Sequence, residues 1–137
     1  MNIFALYTAI AILLYLVLSY RVIILRYRRQ VGIGDGGDAE LGRAIRIHAN
    51  FAENVPFLLI LMLLIAQTGV LGAWLHLFGS GMIVGRLLHI WGLSRTSEWS
   101  WQRSGGTLLT HILMLAGAVY CLWYYVPVAG FLAPLQL

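Results

Sequence analysis

Lysine is missing from this chain of 137 residues: all nine of its Lys+Arg positions are arginine. Charge of either sign is scarce. Charged residues make up 10% of the sequence and hydrophobic residues 61%, whereas a soluble globular domain carries roughly a quarter charged. That shortage excludes a disordered chain, a charged coiled coil and a nucleic-acid module, the last despite a pI near 9.6. The one cysteine, Cys121, excludes an internal disulfide, a Cys-based zinc cage and a CxxC redox pair. It lies in an apolar run, where a thiol behaves as a small packing residue. An integral membrane protein is expected, with the basic excess serving topology or ligand binding, and no nucleic-acid partner.

Four apolar stretches are present: Ile3 to Tyr20 running on to Leu25, Val55 to Ala66, Leu71 to Leu93, and Leu108 to Val128. A span needs about 20 residues at 1.5 Å rise, and the second stretch is too short unless Ala39 to Asn54 continues it. The expectation is one helix through both halves, with Asp38 as N-cap after the glycine-rich turn 32–37 and a kink at Pro56. No positive residue precedes the first stretch, its apolar core is long and arginines follow it, so a retained helix is expected, not a cleaved signal. The predicted fold is all-α: a single domain over 1–137, a four-transmembrane-helix antiparallel bundle in up-down-up-down order. Gly79, Gly81 and Gly85 would permit close helix contact.

Arg21, Arg26, Arg28, Arg29, Arg43 and Arg46 lie between or beside the first two helices, and Arg95 and Arg103 between the last two. By the positive-inside rule the first and third connections are cytoplasmic and both termini outside.

On a wheel of about 100° per residue with Arg46 at zero, Glu53 falls near −20°, Asn50 near 40°, Arg43 near 60° and Asn54 near 80°. His48 falls on the opposite side. Polar groups at membrane depth face a bundle interior, a partner subunit or a water-filled cavity. Arg26, Arg43, Arg46 and Arg86 against Glu53 leave a positive surplus that calls for an anion or water. Two helical turns, about 10 Å, lie between Arg46 and Glu53, so they are not expected to pair. Arginine forks suit carboxylates, Asn50 can donate and accept, and Glu53 can take an ammonium group. A small zwitterionic peptide with more acid than amine, of which glutathione is an example, fits that inventory. A phosphorylated lipid headgroup would satisfy much of the same surplus.

The run Arg43 to Pro56, R-x-x-R-x-x-x-N-x-x-E-x-x-P, resembles the helix 2 signature of the MAPEG family, membrane-associated proteins in eicosanoid and glutathione metabolism. Val84-Gly-Arg-Leu-Leu-His89, Arg103-Ser104 and the position of Arg26 are similar to further family segments, and the short loops resemble its small bacterial inner-membrane branch. The resemblance implies a homotrimer with a glutathione site between subunits, open to the cytoplasm. It places Arg26, Arg46, Asn50, Glu53, Arg86 and His89 on the tripeptide, and Arg103 with Ser104 beside its sulfur as catalytic residues. An adjacent guanidinium favours the thiolate, so the implied activity is glutathione transfer to a lipophilic electrophile, or reduction of a lipid hydroperoxide, in contact with membrane lipids. One departure stands out: Leu93 occupies a position where many family members carry Tyr.

Two other readings remain open. One is a noncatalytic trimeric scaffold or lipid-binding subunit of the same fold, favoured by Leu93. The other is a haem protein using two of His48, His76, His89 and His111, limited by the distance of His76 from the rest; in the bundle, His76 and His111 are expected to form hydrogen bonds. Metal ligands are not predicted. The pair Trp99 and Trp101 reads as an interfacial anchor, or as part of the mouth of the site.

Overall fold

Connections as short as 30–38, 68–71 and 96–100 force each helix to reverse against the one before it. The computed structural model describes residues 2–126 and contains four helices: α1 (Asn2–Arg29), α2 (Ala39–Gln67), α3 (Gly72–Arg95) and α4 (Trp101–Tyr125). Helices α2 and α3 form the middle of the bundle and touch each other and both outer helices, while α1 and α4 do not meet. The polar half of α2 is continuous with its apolar half, and the helix runs through Pro56 without a break. Three helices are long and apolar enough to cross a membrane: α1, α2 and α4, with mean hydropathies of 2.2, 1.8 and 1.6. Four such helices were predicted. At 24 residues α3 is long enough, but Arg86, two histidines and five glycines dilute its apolar character.

The core follows from a single stripe. Leu41, Ala44, Ile47, Phe51, Val55, Leu58, Met62 and Ile65 recur every three or four residues on α2, and all are buried. Leu13, Val17, Leu115 and Leu122 point outward and are exposed. Such an apolar exterior suits hydrocarbon as solvent.

The helix ends are closed by specific bonds. Helix α1 stops in a Schellman arrangement, Val31 N–H donating to the Arg26 carbonyl (3.1 Å) and Gln30 N–H to that of Tyr27 (3.4 Å), with Gln30 in the left-handed region at φ 56°. Asp38 caps α2, its Oδ1 accepting from Leu41 N–H at 2.8 Å, and Ser100 caps α4. The Leu41 bond, helped by Arg29 and Arg43, holds the Asp38 carboxyl below the usual carboxylate range. Its contribution to the cap is therefore present above the ordinary carboxylate pKa and lost as pH falls through the lowered one.

Connections 30–38 and 96–100 lie at one end of the bundle, with Arg28, Arg29, Arg43, Arg46, Arg95 and Arg103. At the other end Tyr120, Trp123, Tyr124 and Tyr125 cluster, and Tyr125 donates to the Leu64 carbonyl at 2.8 Å. Trp91, with the Arg95 guanidinium 4.7 Å above it, and exposed Trp99 and Trp101 supply aromatic rings at the arginine end. Amphipathic rings at both ends are what two membrane–water interfaces favour.

Helices α3 and α4 cross backbone to backbone. A Cβ on Gly106 would collide with the Gly85 carbonyl oxygen and lie 2.7 Å from the His89 amide nitrogen; one on Gly105 would meet nothing within 4 Å. Gly81 and Gly85 take the predicted role at this crossing, and Gly79 takes it against Tyr7 of α1. Gly106→Ala is expected to cost about 1–3 kcal/mol through overpacking, while Gly105→Ala should be neutral or stabilising by up to about 1 kcal/mol from helix propensity. Thermal unfolding of the two variants in detergent checks this; equal midpoints would show that the crossing is not tight.

Candidate functional site

Two threonines on α4 organise the buried polar groups. Thr107 and Thr110 each donate to the carbonyl four residues back, Thr107 to Arg103 (2.9 Å) and Thr110 to Gly106 (2.8 Å). Each hydroxyl oxygen is then left to accept from α3. Thr110 Oγ1 accepts a short bond from Arg86, whose guanidinium also donates to Gly106 O at 3.1 Å and to Asn50 Oδ1 at 2.7 Å. Arg86, 2% exposed, thus joins α2, α3 and α4 and has no carboxylate partner among the described residues. Thr107 Oγ1 lies 3.0 Å from His89 Nδ1. With the hydroxyl proton on the Arg103 carbonyl, Nδ1–H is the donor, and His89 Nε2 stays buried without a partner.

The polar stripe of α2 divides between inside and outside. Asn50, about 40° from Arg46, turns inward to Arg86, and Asn54 donates to the Asn50 carbonyl at 2.8 Å. Arg46 and Glu53 turn outward, with side chains 65% and 57% exposed. Contrary to expectation they do pair: Arg46 Nη1 lies 3.9 Å from Glu53 Oε1. The rise between their Cα atoms is the predicted one, but a long arginine stretched toward the helix C-terminus meets a glutamate leaning back toward the N-terminus. His48 is on the far side, its ring 4.9 Å from that of Tyr15.

At the arginine end an open cleft of about 610 Å³ is lined by Arg43, Arg46 and Arg103, with Asp35, Gly42, Ser97 and buried Leu93. Arg103 donates to the Ser97 carbonyl at 3.4 Å. Of the predicted site residues, Arg46 and Arg103 meet in this cleft. Asn50, Arg86 and His89 form a separate cluster inside the bundle. Arg26 stands apart, donating to the carbonyls of Val31 (3.4 Å) and Gly32 (3.1 Å). Ser104 is exposed on α4. The tryptophans Trp99 and Trp101 are exposed and not among the residues lining the cleft.

The histidines occupy separate neighbourhoods. His76 lies beside Tyr7, whose hydroxyl is 3.2 Å from Nδ1 and also donates to the His76 carbonyl at 3.2 Å. His111, expected to bond within the bundle, is instead exposed on α4. Thr107 and Thr110 were not anticipated; their three-residue spacing after Gly105-Gly106 was the available signal. Asp35 and Gly42 were missed because only the folded turn brings them to the cleft.

Comparison with known proteins agrees with this architecture. The MAPEG family model matches residues 4–123, nearly the whole described chain. The chain belongs to the MAPEG family. It is 37% identical over 120 residues to the inner membrane protein YecN of Escherichia coli K12, covering 88% of this chain and 90% of that protein. The same figures hold for YecN of the Escherichia coli O6:H1 strain CFT073. Together with its three apolar helices, membership makes this an integral membrane member of the family.

Replacing Thr110 by Val, an isostere without the hydroxyl, removes one of the three acceptors of Arg86. A buried donor left unsatisfied costs about 1–3 kcal/mol, and that loss is expected in thermal unfolding of Thr110→Val. An unchanged midpoint would mean that the guanidinium does not depend on the Thr110 hydroxyl.

Proposed function

We propose that this protein binds glutathione at the arginine end of a homotrimer in the bacterial inner membrane, and presents its thiolate to lipophilic electrophiles or hydroperoxides. The observation that carries this reading is the convergence of Arg43, Arg46 and Arg103 on one open cleft. Three guanidinium forks suit a ligand rich in carboxylates, and membership of a family active in glutathione metabolism favours glutathione over a lipid headgroup. The inner-membrane placement follows YecN. The arginine end faces the cytoplasm by the positive-inside rule, with both termini outside and α3 as the fourth span.

The exposed pair Arg46–Glu53 supports the trimer. Charged side chains on a helix that enters the membrane need cover from protein or water, and a neighbouring subunit would supply it. Asn50, Arg86 and His89 act from behind, fixing α2, α3 and the start of α4, so their contribution to binding is positional. Arg26, from the end of α1, would reach a ligand from another side of the assembled site.

In the proposed reaction the Arg103 guanidinium favours ionisation of the thiol. The thiolate sulfur bonds to the electrophilic carbon of an aryl halide as halide leaves. With a hydroperoxide, sulfur takes the distal oxygen as the O–O bond breaks and an alcohol departs; a second glutathione then converts the sulfenic acid to disulfide and water. Ser104 adds at most one neutral hydrogen bond. Leu93 places an apolar wall where many relatives carry a tyrosine hydroxyl, and it favours a second reading, a noncatalytic binding or scaffold subunit of the same fold.

Arg46→Gln should weaken glutathione binding by roughly one to two decades, the loss of a charge-assisted bond. Arg103→Leu should reduce affinity only modestly but abolish thiolate absorbance at about 240 nm and any conjugation of an activated aryl halide. Ser104→Ala is the milder change. Glutathione binding without a thiolate signal or turnover in the wild type would leave the scaffold reading; unchanged affinity in Arg46→Gln would remove the cleft from the account.

A further inference from the structure

Among the described residues one carboxylate lines the cleft, and it is not the one the sequence pointed to. Of the five acidic residues, Asp38 and Glu40 are paired with Arg29, at 2.9 and 3.4 Å, and Glu53 is paired with Arg46. Glu98 lies on the exposed 96–100 connection and does not line the cleft. Asp35 does line it, and takes part in none of the ion pairs among the described residues.

Its position is built from both sides. Asp35 Oδ1 accepts from Gly37 N–H at 3.0 Å, and its carbonyl accepts from Asp38 N–H at 2.9 Å. The turn is thereby tied to the residue that caps α2. Gly34, Gly36 and Gly37 have φ of 71°, 59° and 79°, values a side chain would strain. The other oxygen, Oδ2, lies over Gly42, where a Cβ would come within 3.0 Å of it. A larger residue at 42 would displace the carboxylate.

We infer that Asp35 holds the ammonium group of a zwitterionic ligand in this cleft and makes the site select glutathione over purely anionic analogues, an inference that rests on the proposed function. The charges complement one another. Three guanidiniums and one carboxylate face a ligand which, with its thiol ionised, carries two carboxylates, one thiolate and one ammonium. A cleft of this size accommodates a small-molecule ligand. Glu53 lies at 3.9 Å from Arg46 and is not among the residues that line the cleft.

The test is calorimetric titration of the detergent-solubilised full chain with glutathione and with glutathione acetylated on its α-amino group. Wild type should bind the acetylated ligand roughly ten- to hundredfold more weakly, the scale of one charge-assisted bond. Asp35→Asn keeps an acceptor for Gly37 N–H; it should lower glutathione affinity to that of the acetylated ligand, whose own affinity should not fall. Gly42→Ala should lose part of the preference. Retention of the full preference in Asp35→Asn, or an equal loss of both ligands, overturns the assignment while leaving glutathione binding in place. Wild type that binds neither ligand overturns the proposed function itself, and this inference with it.

Discussion

A guanidinium shut inside a helix bundle without a counter-carboxylate must spend its donors on neutral oxygens, and Arg86 dictates much of this fold by doing so. Its partners come from α2 (Asn50) and α4 (Gly106 and Thr110). Reaching the Gly106 carbonyl brings α3 and α4 together until Gly85 and Gly106 meet; a Cβ on Gly106 would collide with the Gly85 carbonyl, and one on Gly85 would crowd the Gly106 carbonyl at 3.2 Å. The threonine spacing then gives Arg86 and His89 an acceptor each, on consecutive turns of the same face. Polar chemistry, not apolar shape alone, fixes how these helices cross, as expected where lipid and core are equally apolar.

The same economy divides six of the nine arginines into three sets. Arg86 is structural and interior. Arg26 and Arg29 close the first connection, against the carbonyls at the end of α1 and the acids at the start of α2. Arg43, Arg46 and Arg103 face the cleft, and among the described residues only Arg46 of these has a carboxylate partner, at long range. The third set is the one gathered on a single open cleft. The proposed thiolate chemistry draws on it, with the interior set holding the helices that carry it in register.

Much of this was legible in the sequence because it depends on local chemistry. Helix count, the Asp38 cap, the continuity of α2 through Pro56 and the glycines of α3 follow from hydropathy, capping and size, and each was found as expected. The family was legible in the Arg43 to Pro56 run and is matched across residues 4–123. Less legible was the division of the polar stripe. A wheel gives direction but not reach, so the small angular offset between Asn50 and Arg46, which sends one inward and the other outward, was not distinguished. Nor could it show that arginine length would close the gap to Glu53. Asp35 was hidden for a different reason: its role depends on the path of a glycine-rich turn, which no periodicity describes. Thr107 and Thr110 read as ordinary helix residues until the α3 partners were placed opposite them.

On the proposed function, the surplus guanidiniums of the cleft recognise a peptide and not a phosphate. The most direct measurement is calorimetric titration of the purified wild-type protein with reduced glutathione, with oxidised glutathione and a soluble phospholipid headgroup as controls. Reduced glutathione should bind saturably, the bulkier oxidised form more weakly, and the headgroup should give heat no larger than dilution. Saturable binding of the headgroup with none of glutathione would contradict it.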